Sequence, residues 1–218
     1  MNNLKNVKAV LFDFDGTVAD TNEIILKSWR YIYKEYLGRE CRDEEVVGSF
    51  GEVLRDTLVE RFPNEDIDVM LEKFRNYQKS FFEEEVILFP GMKEMIAELV
   101  HRGYMLAIVT SRTKSQTMVG LKKYGMISMF DAFVSCEDTN AHKPDPAPCL
   151  IALEKLGVKP NEAIFIGDSR YDIQCAHNAG VEAVLVDWTI CLPKKERFGE
   201  NRAEYEIKTA EELLELLK

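Results

Sequence analysis

The chain has 218 residues, of which 46% are hydrophobic and 30% are charged, and this composition excludes the disordered and low-complexity classes. Its formal net charge of −10 at pH 7 repels polyanions, so we expect neither nucleic acid nor a membrane surface as a partner. The five cysteines form no C-x-x-C pair, so we expect a cytoplasmic protein with reduced thiols rather than a zinc or disulfide framework.

Short apolar runs predict strands that are buried on both faces. The runs cover residues 7–12, 105–109, 132–135, 163–166 and 183–186. Helical patterns lie between them, such as the apolar stripe over 92–100 that ends near Gly103. This alternation predicts an α/β fold with a parallel sheet and helices on both of its faces.

The segment 18–86 interrupts the alternation because it has no convincing strand pattern. Its apolar residues recur at helical spacing, for example at Met70, Phe74, Tyr77 and Phe81. We therefore predict a discontinuous α/β core and one inserted, all-helical module. The core comprises residues 1–17 and 87–218, and the module comprises residues 18–86.

Polar residues directly follow several of the predicted strands, where open parallel sheets bind their ligands. Asp13 and Asp15 come after the first strand, and Asp168 comes after a later one. Three carboxylates at one sheet edge form an all-oxygen ligand set, which favours Mg²⁺ over zinc. An EF-hand is excluded because Val18 and Ile24 occupy positions where its loop needs glycine and glutamate.

Four motifs occur in order, each after a predicted strand: LFDFDGTVADT, IVTSR, KPDP and GDSRYD. Together they resemble the haloacid dehalogenase-like hydrolase superfamily, in particular its phosphatase branch with a helical cap between the first two motifs. The resemblance implies a Rossmann-like core, a cap domain, Mg²⁺ as cofactor, and phosphoryl transfer through an aspartyl-phosphate.

The resemblance also implies roles for the acidic residues. Asp13 is the expected nucleophile, and Asp15 is the expected general acid, which later acts as the base. Mg²⁺ is expected on the carboxylates of Asp13 and Asp168 and on the backbone carbonyl of Asp15.

Other motif residues are expected to bind the transferred phosphoryl group. Thr110 and Lys143 are expected to contribute to catalysis by stabilising its charge, and Ser111 and Gly16 to contact it. Asp172 is expected to orient Lys143 or a metal-bound water.

Finer resemblances imply a small anionic phosphate as substrate, either a phosphoglycolate-like phosphomonoester or pyrophosphate. GDSRYDIQCAHNAG resembles the phosphoglycolate phosphatases, and DTNEIIL, VGSFGEVLRDTL and VDWTI resemble the related pyrophosphatases. In the cap, Gly48 and Arg55 are predicted substrate contacts, with Arg55 on a second anionic group. Arg112 and Arg170 are interpreted as surface groups. We expect a monomer or a weak homodimer.

Alternative functions remain open at this stage. A β-phosphoglucomutase-type sugar-phosphate mutase shares the two aspartates and the cap, and a non-catalytic Mg²⁺- or phosphate-binding regulator keeps the fold alone. A dehalogenase is disfavoured because a halide leaving group needs no proton from Asp15. A phosphonatase would need a cap lysine, for which Lys27 and Lys34 are the candidates.

Overall fold

The computed structural model describes residues 4–218. Its strands are β1 (Ala9–Phe12), β2 (Ala19–Asp20), β3 (Ile87–Leu88), β4 (Met105–Val109), β5 (Ala132–Val134), β6 (Ala163–Gly167), β7 (Glu182–Val186) and β8 (Tyr205–Ile207). Its α-helices are α1 (Asn22–Leu37), α2 (Leu54–Arg61), α3 (Ile67–Glu85), α4 (Met92–His101), α5 (Lys114–Lys123), α6 (Ala147–Leu156), α7 (Arg170–Asn178) and α8 (Ala210–Leu216).

Six strands form one parallel sheet in the order β5-β4-β1-β6-β7-β8. The α/β fold predicted from the sequence is confirmed, and its five apolar runs correspond to the five strands from β5 to β7 in this order. The edge strand β8 was not predicted, because three residues with an exposed Glu206 in the middle make too short a pattern. β1 lies between β4 and β6, so the carboxyl ends of these three strands are neighbours.

Helices cover both faces of the sheet because side chains alternate along each strand. In β1, Val10 and Phe12 belong to a core cluster with residues of α4, α5 and α8. Leu11 belongs to a second cluster, on the other face, with residues of α6 and α7. Both faces of β1 are therefore fully buried, as its continuous apolar run predicts.

Helices α1, α2 and α3 share a separate apolar cluster, which includes Trp29, Ile32, Leu58, Met70 and Phe74. The Trp29 and Phe74 rings meet edge to face, with centroids 5.3 Å apart, a favoured geometry for aromatic pairs. These helices correspond to the predicted helical module. The exact boundaries at residues 17/18 and 86/87 remain a prediction.

The expectation that residues 18–86 contain no strand is wrong at their first residues. Ala19 and Asp20 form β2, which pairs antiparallel with β3 on the return path of the chain. The two connections between core and helices thus run side by side, and a two-residue strand is too short for a period-2 pattern to reveal. None of the helices described within residues 4–218 is both long enough and apolar enough to cross a membrane.

Candidate active site

The predicted motif residues meet at the carboxyl ends of the central strands. Asp13 follows β1, Thr110 follows β4, and Asp168 follows β6. All three line one open cavity between the sheet edge and helices α1 to α3, with an empty volume of about 810 Å³ including its mouth. The sheet order therefore brings together residues that lie up to 155 positions apart in the sequence (168 − 13 = 155).

Lys143 lies between two buried carboxylates at the base of this site. Its Nζ donates to Oδ1 of Asp13 at 2.8 Å and to Oδ1 of Asp172 at 2.6 Å, and all three side chains are almost fully buried. Asp172 accepts on its other oxygen from the Ser169 hydroxyl and from the backbone N–H groups of Asp168 and Ser169. Asp172 thus contacts Lys143, as one of its two expected roles requires.

The buried charges of this cluster shift one another's pKa values. Burial raises the pKa of Asp13 well above its usual value, and this effect outweighs the opposing attraction of Lys143. Burial, followed by repulsion from Asp172, raises the pKa of Asp168 to about 7. Burial opposes the charge on Lys143, but the attraction of Asp13 and Asp172 outweighs it and raises the pKa of this lysine. Three buried carboxyl groups therefore share one ammonium group, and a cation beside them would favour their charged forms.

The donor set fits a small divalent cation. Asp13, Asp168 and Asp172 each place a carboxylate oxygen within 4.8 Å of the other two. Asp172 is already occupied by Lys143 and backbone donors, whereas Oδ2 of Asp13 accepts no hydrogen bond from the described residues. The remaining oxygen ligands on Asp13 and Asp168 are of the hard type that Mg²⁺ prefers.

Gly16 holds the turn that separates β1 from the helices. Its φ is +72°, and a Cβ at this position would overlap with the Asp168 carboxylate, so both backbone conformation and space require glycine. Its N–H donates to the carbonyl oxygen of Ala19 at 2.9 Å, and its carbonyl accepts from Nε1 of Trp188 at 3.1 Å. Gly16 is therefore at the site, with its N–H donated to Ala19, and its expected contact with a phosphoryl group remains a prediction.

Asp15 is held by a residue that the sequence interpretation placed on the surface. Nε of Arg112 lies 2.9 Å from both carboxylate oxygens of Asp15, and Oδ1 of Asp15 also accepts from the Thr21 hydroxyl at 2.7 Å. Only 9% of Arg112 is exposed, so the interpretation of this arginine as a surface group is wrong. Arg170, the other such residue, is half-buried and pairs with Glu196.

Thr110 and Ser111 differ in what their hydroxyl groups can still bind. Oγ1 of Thr110 accepts from the Arg112 backbone N–H at 3.1 Å, which leaves its own hydrogen free to be donated. The Ser111 hydroxyl donates to the Gly51 carbonyl at 2.6 Å, so its hydrogen is used in a contact with the loop before α2. Both residues line the cavity, but Thr110 is the better placed hydroxyl donor for a phosphoryl group.

The predicted cap contacts Gly48 and Arg55 are not brought to the site. Arg55 is exposed and pairs with Asp68, and neither Arg55 nor Gly48 lines the cavity. Gly51, Arg75 and Gln78 line it instead. Gln78 offered a signal in the sequence, since it is a polar residue four positions after Phe74 on the buried face of α3.

Comparison with known proteins agrees with this geometry. The family model described as haloacid dehalogenase-like hydrolase matches residues 10–186. A "Putative pyrophosphatase PpaX" of Caldanaerobacter subterraneus subsp. tengcongensis is 39% identical over 212 residues, which cover 97% of this chain and 95% of the relative. The pyrophosphatase PpaX of Bacillus velezensis is 36% identical over 186 residues, which cover 85% of this chain and 86% of the relative.

A solved structure gives the same picture of the fold. The crystal structure of a "putative phosphoglycolate phosphatase" from Lactobacillus plantarum superposes with a TM-score of 0.86 at 26% sequence identity, and covers 96% of this chain and 99% of that chain. The motifs, the arrangement of the acidic residues and these matches lead to one conclusion. The chain belongs to the haloacid dehalogenase-like hydrolase family and is an enzyme of that family.

Proposed function

We propose that the protein is a Mg²⁺-dependent phosphatase that hydrolyses a small phosphate compound through a phosphoryl group bound to Asp13. One observation carries the proposal: the buried Asp13 carboxylate faces the cavity beside Lys143 and Asp168, with Asp15 two positions further along the chain. This is the arrangement of nucleophile, positive charge, metal ligand and proton donor that the chemistry needs.

In the first half-reaction, an Asp13 oxygen forms a bond to phosphorus while the bond from phosphorus to the leaving oxygen breaks. The electron pair of the broken bond departs with that oxygen, and Asp15 gives it a proton. Oδ1 of Asp13 accepts from Lys143, so the lysine holds the attacking carboxylate in place. Lys143 and the Thr110 hydroxyl stabilise the charge on the phosphoryl oxygens.

In the second half-reaction, Asp15 is a carboxylate and takes a proton from water as the water oxygen bonds to phosphorus. The bond between phosphorus and Asp13 breaks, its electron pair returns to Asp13, and phosphate is released. Arg112 and Thr21 hold the Asp15 carboxylate with hydrogen bonds, so its position is fixed for taking the proton from water. A positioned acid or base of this kind contributes about 10²- to 10⁴-fold in rate.

Mg²⁺ would be held by the carboxylates of Asp13 and Asp168 and by the backbone carbonyl of Asp15. When bound, it supplies positive charge that offsets the repulsion between the attacking carboxylate and the anionic phosphate. The fit rests on the geometry of the two carboxylates and on the raised pKa values of Asp13 and Asp168, because a cation at this place would favour the charged form of each.

Inorganic pyrophosphate is the favoured substrate, and a phosphoglycolate-like phosphomonoester is the next candidate. The two curated relatives reported above carry pyrophosphatase names, whereas the Lactobacillus plantarum neighbour carries the phosphoglycolate phosphatase name. A phosphate-release assay on both compounds, with nucleotides and hexose phosphates as further arms, ranks them by kcat/KM. The cytoplasmic location, the absence of nucleic-acid and membrane partners, and the monomeric or weakly dimeric state remain predictions.

The reaction type is tested with p-nitrophenyl phosphate. Chelation of Mg²⁺ by EDTA is expected to lower turnover on the order of 10²-fold or more, because a bound metal ion supplies several kcal/mol to such a transition state. Asp13→Asn is expected to lose on the order of 10³-fold or more, since it removes the nucleophile. Asp68→Asn, which changes an exposed aspartate on α3, is the matched control and is expected to retain activity.

Two outcomes would contradict the proposal. The first is turnover that persists after EDTA treatment, and the second is wild-type-like activity in Asp13→Asn. The mutase alternative is tested by incubation with β-glucose 1-phosphate. We expect free phosphate or no reaction, and formation of glucose 6-phosphate would replace the hydrolase by a mutase.

A further inference from the structure

The cavity wall on the side of Asp15 contains two arginines, Arg75 and Arg112. Arg75 has no part in the reaction described above, and Arg112 acts there only through its contact with Asp15. Arg112 follows β4, and its guanidinium reaches across to the helical module. Nη1 donates to Oε1 of Gln78 at 2.6 Å, and Cζ lies 4.7 Å from the centre of the Phe82 ring. Only 6% of the Arg112 side chain is exposed, and its guanidinium lies between Asp15 and α3.

Arg75 lies on α3, three positions before Gln78, so both residues project from the same face of the helix. It is half-buried and lines the same cavity as Asp13 and Asp15. Within residues 4–218, no hydrogen bond or ion pair engages its guanidinium. Arg30 and Arg39 in the same module, by contrast, pair with carboxylates.

A cation without a carboxylate partner at the wall of an acidic cavity is suited to a ligand anion. The protein as a whole carries −10, and the cavity itself is lined by Asp13, Asp15, Glu52 and Asp168. An anionic group that enters here is repelled unless local positive charge compensates. Lys143, which is buried, is already paired with Asp13 and Asp172.

The position of these arginines indicates which part of the substrate they contact. Asp15 gives its proton to the leaving oxygen, so the leaving group lies beside the Asp15 carboxylate. Arg112 is in direct contact with that carboxylate, with Nη2 2.8 Å from Oδ1. The leaving group is thus adjacent to Arg112 and enters the space lined by Arg75.

We propose that Arg75 and Arg112 form a binding site for a second anionic group, carried by the leaving group of the substrate. The assignment rests on the proposed function. Such a site makes the enzyme selective for phosphates whose leaving group carries an anion. The leaving group of pyrophosphate is itself a phosphate, and the leaving group of phosphoglycolate carries a carboxylate. Guanidinium groups suit both anions because their N–H donors match two oxygens at once.

The first test compares two substrates that differ only in the second anion. These are 2-phosphoglycolate and ethylene glycol monophosphate, in which a neutral CH₂OH replaces the carboxylate. We expect wild-type enzyme to prefer 2-phosphoglycolate by about tenfold or more in kcat/KM, and Arg75→Gln to reduce that preference by about tenfold, because a charge-assisted hydrogen bond has this strength. Inorganic pyrophosphate against p-nitrophenyl phosphate repeats the comparison for a phosphate anion.

Arg112 is tested through the same ratio of kcat/KM values for the two substrates. A change at Arg112 also disturbs Asp15, so it is expected to alter the absolute rates for both substrates. Arg112→Gln is expected to reduce the preference for the substrate that carries the second anionic group. Arg112→Lys is expected to retain more of this preference. Arg55→Gln is the matched control, since Arg55 is an exposed arginine of the helical module that pairs with Asp68 outside the cavity. We expect the wild-type ratio in this variant.

A binding measurement separates failure of this inference from failure of the proposed function. Calorimetry on Asp13→Asn with Mg²⁺ compares methylenediphosphonate with methylphosphonate, and neither needs to be hydrolysed. We expect the diphosphonate to bind at least about tenfold more tightly, and Arg75→Gln to remove most of this difference.

Equal affinity for the two phosphonates would overturn the second-anion site even if the enzyme is a phosphatase. So would an unchanged substrate ratio in both the Arg75 and the Arg112 variants. Tighter, Arg75-dependent binding of the diphosphonate without any hydrolysis by the wild type would support the site and reject the phosphatase.

Discussion

The two walls of the cavity are built differently. On the core side, strand ends supply Asp13 and Asp168, and the loop before α6 supplies Lys143. All three side chains are almost fully buried, and Lys143 pairs with Asp13. On the side of the helical module, α3 supplies a half-buried Arg75 and the amide of Gln78. This difference indicates that the sheet holds the reacting groups in place, whereas the groups suited to select the substrate lie on the helices of the inserted module.

The largest effect on stability is expected on the core side, from Lys143→Met. Removing the ammonium leaves Asp13 and Asp172 buried without their shared partner, which lowers the free energy of unfolding by about 3 to 5 kcal/mol. Urea denaturation measures this change in the free energy of unfolding. Lys73→Met, which breaks the exposed pair with Glu35 on the helices, is the control and is expected to leave the unfolding midpoint unchanged. An equal loss of unfolding free energy in the two variants would contradict the proposed difference between the two walls.

A second large effect is expected from Gly16→Ala, because both its left-handed conformation and the adjacent Asp168 carboxylate oppose a Cβ. Displacing that carboxylate is expected to lower Mg²⁺-dependent turnover on the order of 10²-fold. Gly38→Ala is the matched control: its φ of +65° imposes a similar backbone cost, but nothing lies within 4 Å of the added Cβ. A steady-state assay that found equal losses would reduce the role of Gly16 to backbone strain alone.

The smallest effect is expected from Ser111→Ala, which removes the hydrogen bond from the core to the Gly51 carbonyl. Such a bond contributes about 1 kcal/mol, so we expect faster amide hydrogen exchange in the loop at 48–52 and only a modest rise in KM. Ser80→Ala also removes a hydroxyl bond to a backbone carbonyl, that of Tyr77, but on an exposed part of α3. Unchanged exchange at 48–52 in Ser111→Ala would show that this contact does not hold the loop.

The core side of the site could be predicted from the sequence because its residues directly follow apolar runs. Once the runs are placed in one parallel sheet, Asp13, Thr110 and Asp168 must lie at the same edge. The pairing of Lys143 with Asp172 follows less directly, since each residue reaches the site from a loop or a helix start. Lys143 was identified because the segment KPDP resembles a family motif, and not from its spacing to other residues.

The helical side could not be predicted with the same success. The sequence interpretation assigned Arg55 to a second anionic group, but nothing in a helical pattern tells how the module faces the sheet, and Arg75 faces the cavity instead. Arg112 was misplaced for a related reason. Its partner Asp15 is 97 positions away, and its burial depends on α3 packing over it.

Trapping of the phosphorylated residue tests the central assignment most directly. Borohydride reduces an aspartyl-phosphate to homoserine, so quenching wild-type enzyme with borohydride during turnover, followed by peptide mass spectrometry, reports which carboxylate carried the phosphoryl group. We expect homoserine at position 13, dependent on substrate and on Mg²⁺. Label at Asp15 or Asp168, or undiminished turnover with no label at position 13, would contradict the assignment of Asp13 as nucleophile.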